Sequence, residues 1–284
     1  MIISQWETDN FGDCLNDLVW PNYIKNINNI HKDAYLFGIG SLLNHRLPVG
    51  VDKYFLGTGF GHGDVPNVDK TFKFVWVRGP RTANLIKQLS DRDVSFISDG
   101  ALLLADMFQG GVAKIHETSF IPHKSAVNSF VWPHLMKICD RIGVNLINIT
   151  DDRHKIINDI RASKKVISEA LHGAIVSDAF GVPWLPVARR GIFDFKWFDY
   201  CESVNLNYKP VDLPYRTTFF DFTHSTGLKN SAKKIIGPLS LMLLERRLNA
   251  LSKFGSYMFA DRVVVTDKIK NMAKMAVGLE SNIY

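Results

Sequence analysis

The chain has 284 residues, 46% of them apolar and 22% charged, and carries a net charge of +6. Such a composition excludes disordered and fibrous classes, and no apolar run approaches the roughly 20 residues of a membrane-spanning helix. The positive residues are scattered, without the Lys/Arg block of a nucleic-acid arm, which leaves anionic small substrates or an anionic membrane surface as the partners that charge suggests.

The elements alternate from the start. Residues 14–25 read as a helix that Pro21 ends or kinks, after the turn "NFGDCLN". "AYLFGIGSLL" (34–43) and "KYFLGTGFG" (53–61) are apolar strands running into glycine turns, and "FKFVWVRGPRTANLIKQL" (72–89) reads as strand, turn and helix. "VSFISDGALLL" (94–104) adds a strand and a turn, and periodicity is lost over residues 105–120. The rhythm resumes with "SFIPH" (119–123), a helix over 128–143 interrupted by Pro133, "VNLINIT" (144–150), a helix in "DDRHKIINDIRAS", and the strand "KKVIS" ending at Ser168. Small and apolar residues then form a helix over 174–180 that Gly181 and Pro183 terminate, and "PWLPV" follows as a strand. Residues 225–253 combine an apolar helical stripe with Lys229, Lys233, Lys234, Arg246 and Arg247, a pattern of a helix packed on its own domain or resting on an anionic membrane.

Strands alternating with helices imply parallel sheets. Two such series separated by a break predict two doubly wound, Rossmann-like domains facing a cleft. The divisions fall at 1–112, 113–225 and a C-terminal helical segment 226–284. The glycine turns lack the full G-x-G-x-x-G opening of a dinucleotide site, which disfavours a nicotinamide enzyme. Walker A, H-E-x-x-H and paired Cys/His spacings are absent, and no acidic cluster suggests a resident metal. Cys14, Cys139 and Cys201 form no CxxC pair, and "MIISQWETDNFGD" lacks the flanks of a signal peptide, so a reduced, cytoplasmic setting is expected.

Polar residues gather at the strand-end turns, where ligands bind in open α/β sheets. Asn10, Gly12 and Asp13 lie in the first turn, Ser41 after "GIG", His62 after "GTGFG", Arg78 and Arg81 in "VRGPRT", and Asp99 in "SDG". His123 follows in "PHKS", then His172 in "LHG", and Arg189, Arg190 and Lys196 beyond "PWLPV". Each also has a plain structural reading: Asp99 as a turn former, Arg81 as an exposed first-turn residue, His123 as a surface histidine and His172 as a helix cap.

The ordered set "NFGDCLN", "VRGPRT", "SDGALLL", "PHKS" and "LHGAIVSDAFGVP" resembles the polysaccharide pyruvyl transferases over roughly residues 7 to 200. The resemblance implies a glycosyltransferase-B arrangement of two Rossmann-like domains. It implies transfer of the enolpyruvyl unit of phosphoenolpyruvate to a sugar, giving a pyruvate ketal and phosphate. It places the enzyme in the cytoplasm or at the inner membrane face, in cell-surface polysaccharide or capsule assembly, on sugar, oligosaccharide or lipid-linked acceptors. Many members have arginine directly before Leu-His-Gly; here that position is Ala170.

Phosphoenolpyruvate carries a carboxylate and a phosphate, so its site needs fixed cations and amide donors. Arg78 and Lys196 are the first candidates for that clamp, with Arg81 and Arg189 behind them and Leu171 and Gly173 beside the helix start. His172, His123 and Asp13 are the catalytic candidates, since imidazole suits proton delivery near neutral pH. Asn10, Gly12, Ser41, His62 and Trp197 are assigned to the acceptor, with Trp184 also available for stacking. No cofactor is expected beyond the donor as co-substrate. A glycosyltransferase of the same architecture, using a sugar nucleotide and holding its ribose through Glu169, is the alternative enzyme. A non-catalytic carbohydrate-binding module is the third reading.

Overall fold

The structure is a computed structural model that describes residues 1–4, 10–25, 33–61, 63–188, 194–215 and 228–281. The first half comprises β1 (Ile2–Ile3), α1 (Phe11–Cys14), α2 (Asn16–Tyr23), β2 (Tyr35–Phe37), β3 (Lys53–Leu56), β4 (Phe72–Trp76), α3 (Pro80–Ser90), a 3-10 turn (Gly100–Leu103) and α4 (Leu104–Met107). The second half runs β5 (Ser119–Ile121), α5 (Lys124–Val127), α6 (Trp132–Ile142), β6 (Asn145–Leu146), α7 (Arg153–Arg161), β7 (Val166–Ser168), α8 (Leu171–Ala179), β8 (Trp184–Ala188), α9 (Phe195–Ser203) and β9 (Val211–Asp212). Two long helices follow, α10 (Leu228–Phe254) and α11 (Arg262–Ser281).

The class is α/β, with two wholly parallel sheets. The four-stranded sheet has the order β1-β2-β3-β4, which never reverses, so it is not doubly wound. The connections β2–β3 and β3–β4 explain the departure. They are long enough for parallel crossovers but carry no helix. One face is instead covered by an aromatic ladder, in which Phe37, Phe55 and Phe74 stack at 5.4 and 4.8 Å between ring centroids. The five-stranded sheet has the order β6-β5-β7-β8-β9. Its chain leaves β5 in one direction for β6 and returns to the other side for β7. The carboxyl ends of β5 and β7 therefore flank a topological switch point, the crevice where open α/β sheets hold ligands.

Several local details differ from the sequence expectations. The first helix is split into α1 and α2, and Pro21 sits inside α2, in its last turn. Pro133 opens α6 as its second residue, where a missing N–H costs nothing, so it starts that helix instead of interrupting it. The helix after "KKVIS" begins at Leu171, three residues early, and places His172 within its first turn; Gly181 ends it with φ +65°. The apolar core is continuous between the sheets: Trp20, Leu36 and Trp76 share one buried cluster with Ile121, Ile175 and Trp184, and α11 adds Val265 and Met272. Helix α10 covers the outer face of the second sheet through Leu244, Leu248 and Leu251. Among the described residues no helix is long and apolar enough to cross a membrane.

Candidate active site

A cavity of about 430 Å³ opens at the switch point. Asn10, Phe11 and Gly12 form one wall, Lys196 contributes from α9, and the rest comes from the second sheet's edge: His123 to Ser125, Asn128, Ile149, Ala170, Leu171 and His172. Six of the residues anticipated from sequence, Asn10, Gly12, His123, Leu171, His172 and Lys196, meet here.

Local physics sets each of them. Asn10 caps α1, its side-chain oxygen accepting from the Gly12 N–H at 3.2 Å. Gly12 is glycine because a Cβ there would lie 2.0 Å from the His172 ring at Nδ1. His123 caps α5: its Nδ1 accepts from the Ser125 N–H at 3.2 Å. Ala170 stands at the N-cap of α8 and supplies no side-chain cap, which leaves the positive end of that helix for another acceptor.

His172 is 14% exposed, and its Nε2 lies 3.7 Å from Oδ2 of the fully buried Asp99. Neither atom has a hydrogen-bond partner among the described residues. The other Asp99 oxygen caps the 3-10 turn by accepting from the Ala101 N–H at 3.0 Å, which fixes the carboxylate. The sequence places Asp99 only at a strand end. Its approach to His172 depends on the two sheets meeting, a long-range fact with no local signal. Lys124, Ser125, Asn128 and Ile149 were likewise not singled out, although "PHKS" marks the loop.

Lys196 is mostly buried in the cavity wall. Burial pushes its ammonium below the usual lysine range and the charge of Arg78 adds to that, while Asp13 opposes it. Asp13 itself is buried and does not line the cavity; it lies over Gly40, where a Cβ would approach its Oδ1 to 2.8 Å.

Other candidates are committed elsewhere. Arg78 is fully buried: Nε donates to Asp199 Oδ2 at 3.0 Å, Nη1 to Ser41 Oγ at 3.1 Å and Nη2 to the Phe60 carbonyl at 2.6 Å. It is a strut between the halves and not an exposed clamp, and Ser41 is one of its partners. Arg81 grips Glu202, with Nη2 donating to Oε1 at 2.6 Å, and stacks 4.2 Å over the Phe198 ring. Trp197 is buried against Tyr208 at 5.3 Å and tilted on Trp184 at 6.1 Å, so both tryptophans are core and not sugar platforms. Gly173 packs α8 on its sheet: a Cβ would meet Ser168 Oγ at 2.5 Å. Glu169, the carboxylate considered for a ribose, is buried and accepts from the His123 N–H and the Tyr215 hydroxyl, each at 2.8 Å. His62, Arg189 and Arg190 lie outside the described residues.

No solved structure matches the chain. The succinoglycan biosynthesis protein ExoV of Rhizobium meliloti is 34% identical over 220 residues, 75% of this chain and 67% of that protein. Residues 4–191, which contain the strands β2 to β8 and every lining residue of the cavity except Lys196, match the family described as polysaccharide pyruvyl transferase. The chain belongs to the polysaccharide pyruvyl transferase family and is an enzyme.

Proposed function

We propose that the enzyme transfers the enolpyruvyl unit of phosphoenolpyruvate to a sugar of an exopolysaccharide or its precursor, forming a pyruvate ketal. The observation that carries this reading is the switch-point cavity, where His172, Lys196 and the uncapped start of α8 share one small wall. A compact dianion suits that wall: the lysine and the helix end attract it, and its negative charge opposes the downward pull of burial on the Lys196 ammonium. Lys124 adds a second cation to the lining.

In the first step a sugar hydroxyl adds to the enol carbon of the donor while His172 delivers a proton to the neighbouring methylene, which becomes the methyl group. Asp99, beside Nε2, stabilises the imidazolium and holds the ring over Gly12. In the second step an adjacent hydroxyl attacks the same carbon and phosphate departs, its charge retained by Lys196 and the helix end. The second hydroxyl's proton returns to the imidazole, and the first hydroxyl's proton passes to the phosphate, which leaves as hydrogenphosphate. The positive charge comes from the chain, so this mechanism requires no resident metal. The two halves meeting at the cavity, one supplying Asn10 to Gly12 and the other the donor wall, fit a glycosyltransferase-B-like division into an acceptor side and a donor side.

The sugar-nucleotide alternative loses its ribose partner, because Glu169 is used by His123 and Tyr215. Thermal unfolding with each donor tests the choice. A ligand at a hundred times its Kd stabilises a fold by about 2.7 kcal/mol, a readable shift. Phosphoenolpyruvate should raise the midpoint, Lys196→Met should abolish the rise, and sugar nucleotides should leave it unmoved. A rise with a sugar nucleotide alone would overturn the reading.

A further inference from the structure

Among the described residues the outer face of α10 has no partner. Pro238, Leu239, Met242, Leu243, Arg246, Arg247, Ala250, Lys253 and Phe254 are its exposed positions between residues 237 and 254. At about 100° per residue they fall within an arc of about 180°, one half of the helix. The opposite arc holds Leu244, Leu248 and Leu251, which are buried in the core under the second sheet. The exposed arc is thus continuous and of mixed chemistry. Leu239, Met242 and Leu243 are 51%, 43% and 42% exposed, and Phe254 is 85% exposed. Every charged side chain on the arc is positive, namely Arg246, Arg247 and Lys253. The one carboxylate of this stretch, Glu245, lies off the arc and is held by Arg141 at 2.8 Å.

We propose that this face of α10 rests on an anionic lipid bilayer. Apolar side chains flanked by long cationic ones are what the headgroup boundary accepts, since the apolar groups enter the acyl region while the cations pair with lipid phosphates. A second copy of the chain fits less well. A two-fold interface sets the same face against itself and would oppose these like charges with no acid on the arc to compensate.

The orientation gives the contact a use. Near its middle, the Ser240 hydroxyl donates to the Pro214 carbonyl at 2.7 Å, just beyond β9. Near its end, the Ser252 carbonyl accepts from Thr118 Oγ1 at 3.5 Å, just before β5. The helix therefore runs against the strands, and Leu239, Met242 and Leu243 lie toward the carboxyl edge that carries the cavity. A protein seated this way presents its site near the bilayer, within reach of an acceptor borne on a lipid.

Co-sedimentation of the full chain with vesicles tests the proposal without donor or acceptor, so its failure is separate from that of the reaction. Binding is expected with phosphatidylcholine vesicles containing phosphatidylglycerol, and at least about tenfold less with phosphatidylcholine alone. Arg246→Glu with Arg247→Glu should remove binding, as should Met242→Ser with Leu243→Ser. Both pairs are surface changes, and an unchanged melting temperature confirms that the fold survives. Equal binding to both vesicles, no binding to either, or binding unaffected by both pairs would overturn the proposal. So would a dimer of the unmodified protein that the same variants dissociate, which would assign the face to a second copy.

Discussion

Two strand-end turns of the molecule, "VRGPRT" after β4 and "EALHG" after β7, have similar places in their sheets and opposite fates. The first is closed. Arg78 is buried with Asp199, Ser41 and the Phe60 carbonyl; Thr82 donates its N–H and its hydroxyl to Asp199 at 2.9 and 2.7 Å; and a Cβ on Gly79 would lie 1.9 Å from the Asp199 carbonyl. The side chains of Arg78, Arg81 and Thr82 all have internal partners. The second is open. The start of α8 is uncapped, and Nε2 of His172 faces Asp99 Oδ2 without a hydrogen bond. Buried polar groups are normally satisfied, so these two unpartnered atoms, together with the uncapped helix start, single this turn out as the candidate site.

The comparison predicts that damage to the open turn removes activity and spares the fold. His172→Gln should lower turnover by about 10²–10⁴-fold, the range for a general acid, with the urea midpoint unchanged. Asp99→Asn should cost less, since its side-chain oxygen can still cap the 3-10 turn and only the carboxylate facing Nε2 is lost. Near-normal turnover in His172→Gln would end the assignment of His172 as the acid.

Damage to the closed turn should do the reverse. Arg78→Met leaves Asp199 buried with only Thr82 to solvate it, and breaking a buried pair from one side costs about 3–5 kcal/mol. The double variant Arg78→Met/Asp199→Leu should recover part of that loss, because it removes the orphaned charge. Urea unfolding of the two variants checks this. If Arg78→Met instead kept its stability and lost donor binding, the turn would be open after all.

The different legibility of these regions follows from range. The alternation of strands and helices is local, and so was visible in "KKVIS" and in the glycine that ends α8. The residues that cap helices at the cavity, Asn10 and His123, act within three positions of themselves and could be placed at strand ends by inspection. Arg78 finds Asp199 across 121 positions, and Trp197 finds Trp184 through folding of α9 onto β8. Nothing near either residue announces such partners, so a clamp and a sugar platform were equally good readings of them. The missing reversal in the first sheet has the same origin: strand order is a property of pairings, not of any one strand.

The open turn is anchored from behind, which gives a subtler test. Asp178, near the end of α8, is buried and accepts from the Ala260 N–H at 2.8 Å and the Tyr200 hydroxyl at 2.7 Å. Burial raises its carboxyl from the ordinary 3.8 to about 6, against the opposing effects of those donors and of Arg262. Below about pH 4 the group is neutral in the folded and the unfolded chain, and its protonated form contributes fully to stability. As pH rises through 6 that contribution is lost, a change on the order of 3 kcal/mol. Asp178→Asn keeps both hydrogen bonds, with its amide donating to the Tyr200 oxygen. Its stability relative to the unmodified chain should therefore grow between pH 4 and 6 and level off above. Parallel stability curves across that window would show that the carboxyl is charged in the fold throughout.

The smallest effect is expected where the closed turn reaches solvent. Arg81 makes a two-pronged contact with Glu202 and lies on Phe198, which looks as strong on geometry as the Arg78 pair. Its side chain is 40% exposed, however, and that of Glu202 is 37% exposed, so water already solvates both charges when the contact breaks. Exposed pairs contribute about 0–1 kcal/mol, and the stacking adds about as much again. Arg81→Ala should thus lower stability by no more than about 2 kcal/mol, with salt reducing the difference and turnover unaffected. Measured beside Arg78→Met, it separates the two things that geometry alone confounds: how well a pair is formed, and how much of its solvation has been given up. A loss in Arg81→Ala as large as in Arg78→Met would mean that contact with α9, and not burial of charge, gives the closed turn its strength.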